Sequence, residues 1–431
     1  MNYRTVKYAY TAYPTARQAR WLAGAFGAMR TVYNDYLWQR EAVFRGERAE
    51  LVPLDKFGRL PADKAWMRSY PQKMAEQARR QAEAAYKNFF DGLAGRRANR
   101  VDKPRFKRRR AGGSLTWNGG SLQVKTLSRR WAAVRLPKEG SWLRFRLSRK
   151  LPSKPTGVTL KLAADGTYTV SFTVRESIAG PKTSGPIAAY DSGLIDLAAV
   201  VSDDGTRYKI PAPKHYRRAE RKLARLSRAH SRKARGSQNR EKARLALARQ
   251  HSKVARQRQD QARKLAARLT DENQAVALEA LNLRGLARTK LSKSFADAGL
   301  GKLAACVEQA AQKRGTRFVA VNPAYTSQAC AACGAIDGPK ALDVREWQCA
   351  CGALLDRDYN AAVNILLLAG GHSERLNGPG GRVRRLELAK PAQSAVSVEG
   401  ATSYEIHKPR RRRTRAKSLA RRARLKAHAL A

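Results

Sequence analysis

Four cysteines that run directly into an acid-opened helix constrain this chain more than any other stretch. Cys330 and Cys333 are spaced C-x2-C, Cys349 and Cys351 are spaced C-x-C, and fifteen residues separate the pairs. Two such pairs on short hairpins suit a tetrahedral Zn2+, whose thiolate ligands lie about 2.3 Å from the metal. Just beyond the last cysteine, Asp356 can cap a helix and Asp358 then falls in its first turn. The helix continues through Ala361, Ala362, Val363, Ile365, Leu366 and Leu367, an apolar set that asks for a core. A metal knuckle thus holds a carboxylate at a defined place, and the rest of the chain reads as what is built around it.

Charge narrows the partners. The 431 residues carry 87 Lys and Arg against 34 Asp and Glu, a net charge of +53. Such an excess repels itself unless a polyanion neutralises it, and nucleic acid over a long track is the natural partner. A membrane surface fits less well, because the basic residues run along the whole chain rather than beside an apolar anchor. No apolar run approaches the ~20 residues of a membrane span, and Met1-Asn2-Tyr3-Arg4 opens no signal peptide. A cytoplasmic, nucleoid-associated protein is expected. Four clustered cysteines out of five point to metal in a reducing compartment rather than to disulfides, with Cys306 a small core residue.

Residues 3–10 alternate like a strand, and Tyr13-Pro14-Thr15 breaks the pattern so that Thr15 can cap a helix carrying Trp21, Leu22, Phe26, Met29, Val32, Tyr33 and Tyr36. A second helix is predicted over about 72–93, followed by the basic loop Lys103-Pro104-Arg105-Phe106-Lys107-Arg108-Arg109-Arg110. That loop is either a solvated linker or, as favoured in so basic a chain, a phosphate-backbone contact with Phe106 packing or stacking. From about 115 to 178 the period becomes two, which predicts a small antiparallel barrel or sheet with a hairpin at Asp165-Gly166. Residues 181–186 read as a linker. Residues 214–268 are helical and cationic, broken at Gly236-Ser237 into an antiparallel pair with a narrow apolar face, and read as a nucleic-acid clamp. Residues 294–314 read as one helix and 318–321 as a strand. Beyond about 372 the chain turns rich in Gly, Pro, Ser and Arg, a basic tail expected to be disordered without nucleic acid.

Three acids share one pattern. Asp191 and Glu279 each end a short apolar strand, and Asp358 opens a helix beside the cysteine knuckle. Carboxylates converging at a sheet rim repel unless they share cations, and two Mg2+ ions about 4 Å apart would satisfy them. This is the plan of an RNase H-type nuclease, although acids at strand ends also occur as plain turn residues.

Asp191-Ser192-Gly193-Leu194-Ile195-Asp196-Leu197-Ala198, Leu278-Glu279-Ala280-Leu281-Asn282, Tyr325-Thr326-Ser327-Gln328 leading to Cys330 and Cys333-Gly334, and Asp356-Arg357-Asp358-Tyr359-Asn360-Ala361-Ala362 resemble the RuvC-like domain of TnpB, the transposon-encoded OrfB family ancestral to type V CRISPR effectors. Tyr13-Pro14-Thr15 with Gln18, Arg30-x-Val32-Tyr33-Asn34, Tyr86-Lys87-Asn88-Phe89-Phe90, Pro104-Arg105-Phe106-Lys107, and Leu376-Asn377 with Gly380-Gly381 look like further family signatures, so the likeness spans roughly 4–385. The resemblance implies an α/β RNase H-like (RuvC) nuclease over 187–371 with a zinc ribbon inserted at 325–352. It also implies a wedge-like β-barrel from 1–12 and 111–184, a helical recognition part over 13–110, and the tail over 372–431. It implies an RNA-guided DNA endonuclease that takes a guide RNA encoded near the transposon end and a double-stranded DNA target. Asp191, Glu279 and Asp358 would be the catalytic acids holding two Mg2+, with Asp358 preferred to Asp356 because the family pattern is acid-x-Asn. Cys330, Cys333, Cys349 and Cys351 would hold one structural Zn2+, and Lys73, Gln77, Arg105, Phe106 and Lys107 would touch nucleic acid. Two departures stand out: C-x-C where relatives have C-x2-C, and Arg263-Lys264 where they have His-Lys. A transposase acting directly on transposon ends and a non-cleaving RNA-bound repressor are the alternatives, the intact acids arguing against the latter.

Overall fold

The computed structural model describes residues 2–51, 62–97, 101–108, 112–119, 122–341 and 343–370. Arg109, Arg110, the 372–431 tail and the signatures at Leu376-Asn377 and Gly380-Gly381 lie outside the described residues. Among the described residues no helix is long and apolar enough to cross a membrane.

The chain opens with strand β1 (Tyr3–Tyr13) and helix α1 (Ala16–Phe44). Thr15 caps α1 through a reciprocal pair: its hydroxyl accepts from the Gln18 N–H and the Gln18 side chain accepts from the Thr15 N–H. Helix α2 (Gln72–Leu93) follows, then β2 (Gly113–Asn118), β3 (Val124–Ser128), β4 (Trp131–Arg135), β5 (Trp142–Arg146), β6 (Gly157–Leu162) and β7 (Tyr168–Ser177). These strands join β1 in one antiparallel sheet ordered β2-β6-β7-β1-β5-β4-β3. Its alternate residues Tyr10, Trp117, Phe145 and Phe172 are buried against Leu22, Phe26 and Met29 of α1 and Met74 and Ala78 of α2. Among the described residues no ladder joins β2 to β3, so the sheet remains open at its edges where a closed barrel was one expectation.

The second half builds a mixed sheet. Strand β8 (Ile187–Asp191) pairs antiparallel with β9 (Asp196–Ser202), which pairs with β10 (Arg207–Pro211). On its other side β8 runs parallel to β11 (Ala275–Glu279), and β11 parallel to β12 (Arg317–Val321), giving the order β10-β9-β8-β11-β12. Helices α3 (His215–Ser231) and α4 (Gln238–Glu272) form the basic hairpin. The short α5 (Leu283–Leu286) precedes α6 (Ser292–Ala298) and α7 (Leu300–Arg314). The single helix expected over 294–314 is therefore two: Gly299, at φ +69°, ends α6 and starts α7. The break frees Asp297 to accept from the Tyr216 and Arg217 N–H groups at 2.7 and 3.0 Å, which docks the start of α3.

One face of this sheet packs on α4 and α7 through Leu197, Val200, Leu265, Leu269, Val276, Leu303 and Val307. The other packs on α8 (Arg357–Leu368) through Ala189, Val201, Ala277, Ala362, Val363 and Ile365. Burial on both faces explains why β8 and β11 read as continuous apolar runs rather than alternating ones. The two sheets are joined by a buried charge cluster. Glu176 on β7 accepts from Arg4 and Tyr8 on β1 and from Lys313 on α7, and Arg4 also reaches the Gln309 carbonyl of α7 at 3.0 Å. A second tie runs from Arg256 on α4 to the buried Asp165 of the β6–β7 turn at 3.0 Å.

Candidate active site

Asp191 ends β8 and Glu279 ends the neighbouring parallel strand β11, so the same rim of the sheet carries both acids. Gly193 turns the chain away after Asp191; a Cβ there would lie 2.5 Å from the Asp196 carbonyl oxygen, so only glycine fits. Asp358 is brought to the same rim by α8. Burial pushes the Asp191 carboxyl up to about 7, and the charges of Glu279 and then Asp358 add to the rise. Burial likewise raises Glu279, against a hydrogen bond donated by the Thr326 hydroxyl. Asp191 is thus close enough to feel the charge of both other acids named from the sequence.

Asp356 plays a different part. One of its oxygens accepts from the N–H groups of Asp358 and Tyr359 at 3.0 and 2.9 Å and caps α8. The other takes the Lys209 ammonium of β10 at 2.7 Å. Asp358 is met by Lys209 at 3.6 Å and by Arg345 at 3.5 Å.

The four cysteines gather so that all four sulfurs lie within 4.8 Å of one another. Cys330–Cys351 is 3.9 Å and Cys333–Cys349 is 3.7 Å. A tetrahedral ion with bonds of about 2.3 Å requires edges of about 3.8 Å, so the donor set fits. Each pair sits on a tight turn: Gly334 N–H donates to the Cys330 carbonyl and Gly352 N–H to the Cys349 carbonyl, both at 2.8 Å. Gly334 at φ +77° and Gly352 at φ +88° supply the left-handed turns that follow the second cysteine of each pair. The second knuckle is framed by the hairpin of β13 (Glu346–Gln348) and β14 (Leu354–Asp356).

Asn360 joins knuckle to helix. It is 3% exposed, its amide oxygen accepts from Ala331 N–H at 2.8 Å, and its amide nitrogen donates to the Ala329 carbonyl at 2.8 Å. One turn on, Asn364 donates to the carbonyls of Thr326 and Ala329 at 2.8 Å each. The acid-x-Asn pattern therefore has a mechanical meaning, since the asparagine welds the acid's helix to the first cysteine turn. Sequence reasoning missed Lys209, Arg345 and Asn364, and had Thr326 only as part of a family signature, without its contact to Glu279. Only Asn364 left a signal, being a polar residue at helical spacing from Asn360 on an apolar face.

The residues expected to touch nucleic acid lie elsewhere. Lys73 is exposed in the first turn of α2, and Gln77 follows one turn later, half-buried. Arg105 is exposed with only a loose Asp102 partner at 3.8 Å, and Phe106 is 49% exposed. Lys107 is held more firmly. Its backbone exchanges two hydrogen bonds with Asn34 at 2.8 and 3.0 Å, and its ammonium lies 3.7 Å from the Tyr33 ring centroid. Although the residue is exposed overall, desolvation of its head pushes the ammonium down to about 8. The basic helical hairpin presents Arg217, Arg218, Arg221, Lys222, Arg225 and Arg228 on α3, where Leu223 alone is fully buried.

Three family descriptions match the chain: "Helix-turn-helix domain" over residues 1–47, "Probable transposase" of the OrfB type over 170–290, and "Cas12f1-like, TNB domain" over 301–365. A Streptomyces pristinaespiralis protein named "Putative RNA-guided DNA endonuclease" is 33% identical over 407 residues, covering 90% of this chain and 95% of that protein. The chain belongs to the TnpB (OrfB) family. A second member, "Putative RNA-guided DNA endonuclease InsQ" of Escherichia coli K12, is 29% identical over 72% of this chain and 76% of its own length. The structure titled "Cryo-EM structure of the Cas12f1-sgRNA-target DNA complex" shares the fold, with a TM-score of 0.55 at 14% identity over 81% of this chain and 83% of that one. In this TnpB chain the OrfB match contains Asp191 and Glu279, and the TNB match contains the four cysteines and Asp358. The helix-turn-helix match falls on β1 and α1, a strand followed by one long helix.

Proposed function

We propose that this TnpB chain is an RNA-guided DNA endonuclease whose phosphodiester chemistry is carried by Asp191, Glu279 and Asp358. The observation that carries the reading is the placement of these carboxylates, two at the ends of adjacent parallel strands and the third in the first turn of α8 packed on the same sheet, in a chain that aligns along nearly its whole length with a relative named for that activity. Oxygen donors of this kind suit Mg2+, which when bound supplies an activated water and stabilises the leaving oxygen. The protein's share is placement. Strands β8 and β11 fix two acids on a rigid sheet, while α8, clamped by Asn360 to the cysteine turn, fixes the third. Burial and the two neighbouring acids raise the Asp191 carboxyl, so divalent cations held among the three would favour its ionised form.

Cys330, Cys333, Cys349 and Cys351 would hold a structural Zn2+ in this reading, which would fix the cysteine turn that Asn360 joins to α8. The open seven-stranded sheet with α1 and α2 takes the place of the wedge and recognition parts, and Lys73, Gln77, Arg105, Phe106 and Lys107 belong to its nucleic-acid side. A guide RNA from the transposon end pairs with one strand of the target, while the basic hairpin α3–α4 holds phosphates without reading sequence.

The test is to purify the chain after expression with its native flanking DNA, sequence the RNA that stays bound, and incubate the complex with a matching plasmid and Mg2+. One discrete structured RNA and double-strand cutting at the matched site are expected. Cutting that persists after the RNA is removed, or strand-joined products at transposon ends, would overturn the reading.

A further inference from the structure

Lys209 is a cation built into the carboxylate cluster from the sheet side. It lies on the edge strand β10, where its neighbours Tyr208 and Ile210 pack toward the α4–α7 face. The period of two then turns Lys209 to the opposite face, over the start of α8. There its ammonium is 2.7 Å from Asp356, 3.6 Å from Asp358 and 4.9 Å from the Tyr359 ring centroid. The shorter contact shows which acid holds it. Asp356 is itself immobilised, because its other oxygen caps α8. The lysine is therefore tethered to an acid outside the reacting set and held against one inside it.

Two consequences follow, of opposite sign. A partner on one oxygen of Asp358 holds that side chain at the rim before any divalent ion is present. A fixed positive charge beside the same carboxylate also opposes the arrival of further cations. We propose that Lys209 is a positioning residue which, tethered by Asp356, orients Asp358 and by its charge sets the divalent-ion concentration at which the centre fills. The proposal rests on the reading of Asp191, Glu279 and Asp358 as the cation-binding set. Among the described residues, Arg345, 3.5 Å from Asp358, and Arg357, which acts on Asp191, are further cations facing the cluster. Both remain in every variant below, so the comparison isolates Lys209.

The experiment is direct binding of Mn2+ to the full chain without nucleic acid, by calorimetry, for wild type, Asp191→Asn, Lys209→Met, Lys209→Arg and Asp356→Asn. Removing a unit charge a few ångströms from a divalent site, in a water-like dielectric, corresponds to about tenfold in affinity. Lys209→Met is expected to bind Mn2+ about tenfold more tightly than wild type. It should also cut at lower Mg2+ but with a reduced maximal rate, because Asp358 has lost its guide. Lys209→Arg keeps the charge and should stay within about threefold of wild type. Asp356→Asn keeps a capping side chain but loses the tether. The variant also removes a negative charge beside the site, about tenfold by itself, so with the ammonium free to close on Asp358 Mn2+ binding should weaken by more than about tenfold. If Asp191→Asn binds Mn2+ as wild type does, the carboxylate reading itself fails. If Asp191→Asn abolishes binding while Lys209→Met binds as wild type does, the reading survives and the role given to Lys209 is overturned. Should Lys209→Met fail to fold, Lys209→Gln, which also removes the charge while keeping a side chain that can bond Asp356, decides in its place.

Discussion

Replacing Glu176 with Gln removes the negative charge at the centre of the joint between the two sheets. The Glu176 side chain is 8% exposed and is met by Arg4 at 3.0 Å, by the Tyr8 hydroxyl at 2.5 Å and by Lys313 at 2.7 Å. Burial alone would raise its pKa; hydrogen bonds from Lys313, Tyr8 and Arg4 override that and hold it down, from an ordinary 4.5 to about 2. A drop of that size corresponds to about 3 kcal/mol of preference for the charged form. Lys313 is about half exposed, and solvent screening there leaves about 2 kcal/mol as the expected loss in Glu176→Gln. The sign with pH follows from the depressed value. The stabilisation is fully present above the unfolded carboxyl's pKa and is lost as pH falls through about 2. Urea unfolding of nucleic-acid-free protein should therefore show Glu176→Gln less stable than wild type at about pH 6.5, with a smaller gap at about pH 3.5. Equal midpoints at the higher pH, or a gap that does not shrink at the lower, would refute the account of this joint.

Asp191→Ala, Glu279→Ala and Asp358→Ala should each abolish cleavage while guide and target binding, measured by filter retention, survive; Asp356→Ala should cost about 1 kcal/mol as a lost cap and still cut measurably. A dead Asp356→Ala beside an active Asp358→Ala would show that the third ligand is misassigned. Metal analysis should find about one zinc per chain, and Cys330→Ser should lower both zinc content and melting temperature; a folded, active preparation without zinc would remove the ligand assignment. Asn360→Ala leaves the buried Ala331 N–H unpaired and the Ala329 carbonyl with Asn364 as its remaining side-chain donor, and should cost about 2 kcal/mol in thermal unfolding and most of the cleavage rate at unchanged RNA binding.

Much of the chemistry was legible because it rests on spacing. The C-x2-C and C-x-C pairs converge, and the acids at the ends of Ile187–Asp191 and Ala275–Glu279 fall on neighbouring parallel strands. The capping roles of Thr15 and Asp356 also follow from local hydrogen-bonding rules. What stayed hidden depends on contacts across long stretches of chain. Lys209 meets Asp356 across 147 residues, and the Glu176–Arg4 and Glu176–Lys313 pairs span 172 and 137. No period or motif announces such partners. The helix expected over 294–314 hid Gly299 because its apolar spacing runs on through the break.

The central claim is that a bound RNA chooses where this protein's three carboxylates act. The measurement that tests it most directly is to keep the protein and its RNA scaffold constant, exchange only the guide segment for a second sequence, and map breaks on a plasmid that carries both targets beside the same flanking motif. Cutting should move from the first target to the second, and Asp191→Ala should abolish it at both. Breaks that stay at the first site after the exchange, or that appear at either site with Asp191→Ala, would contradict the account.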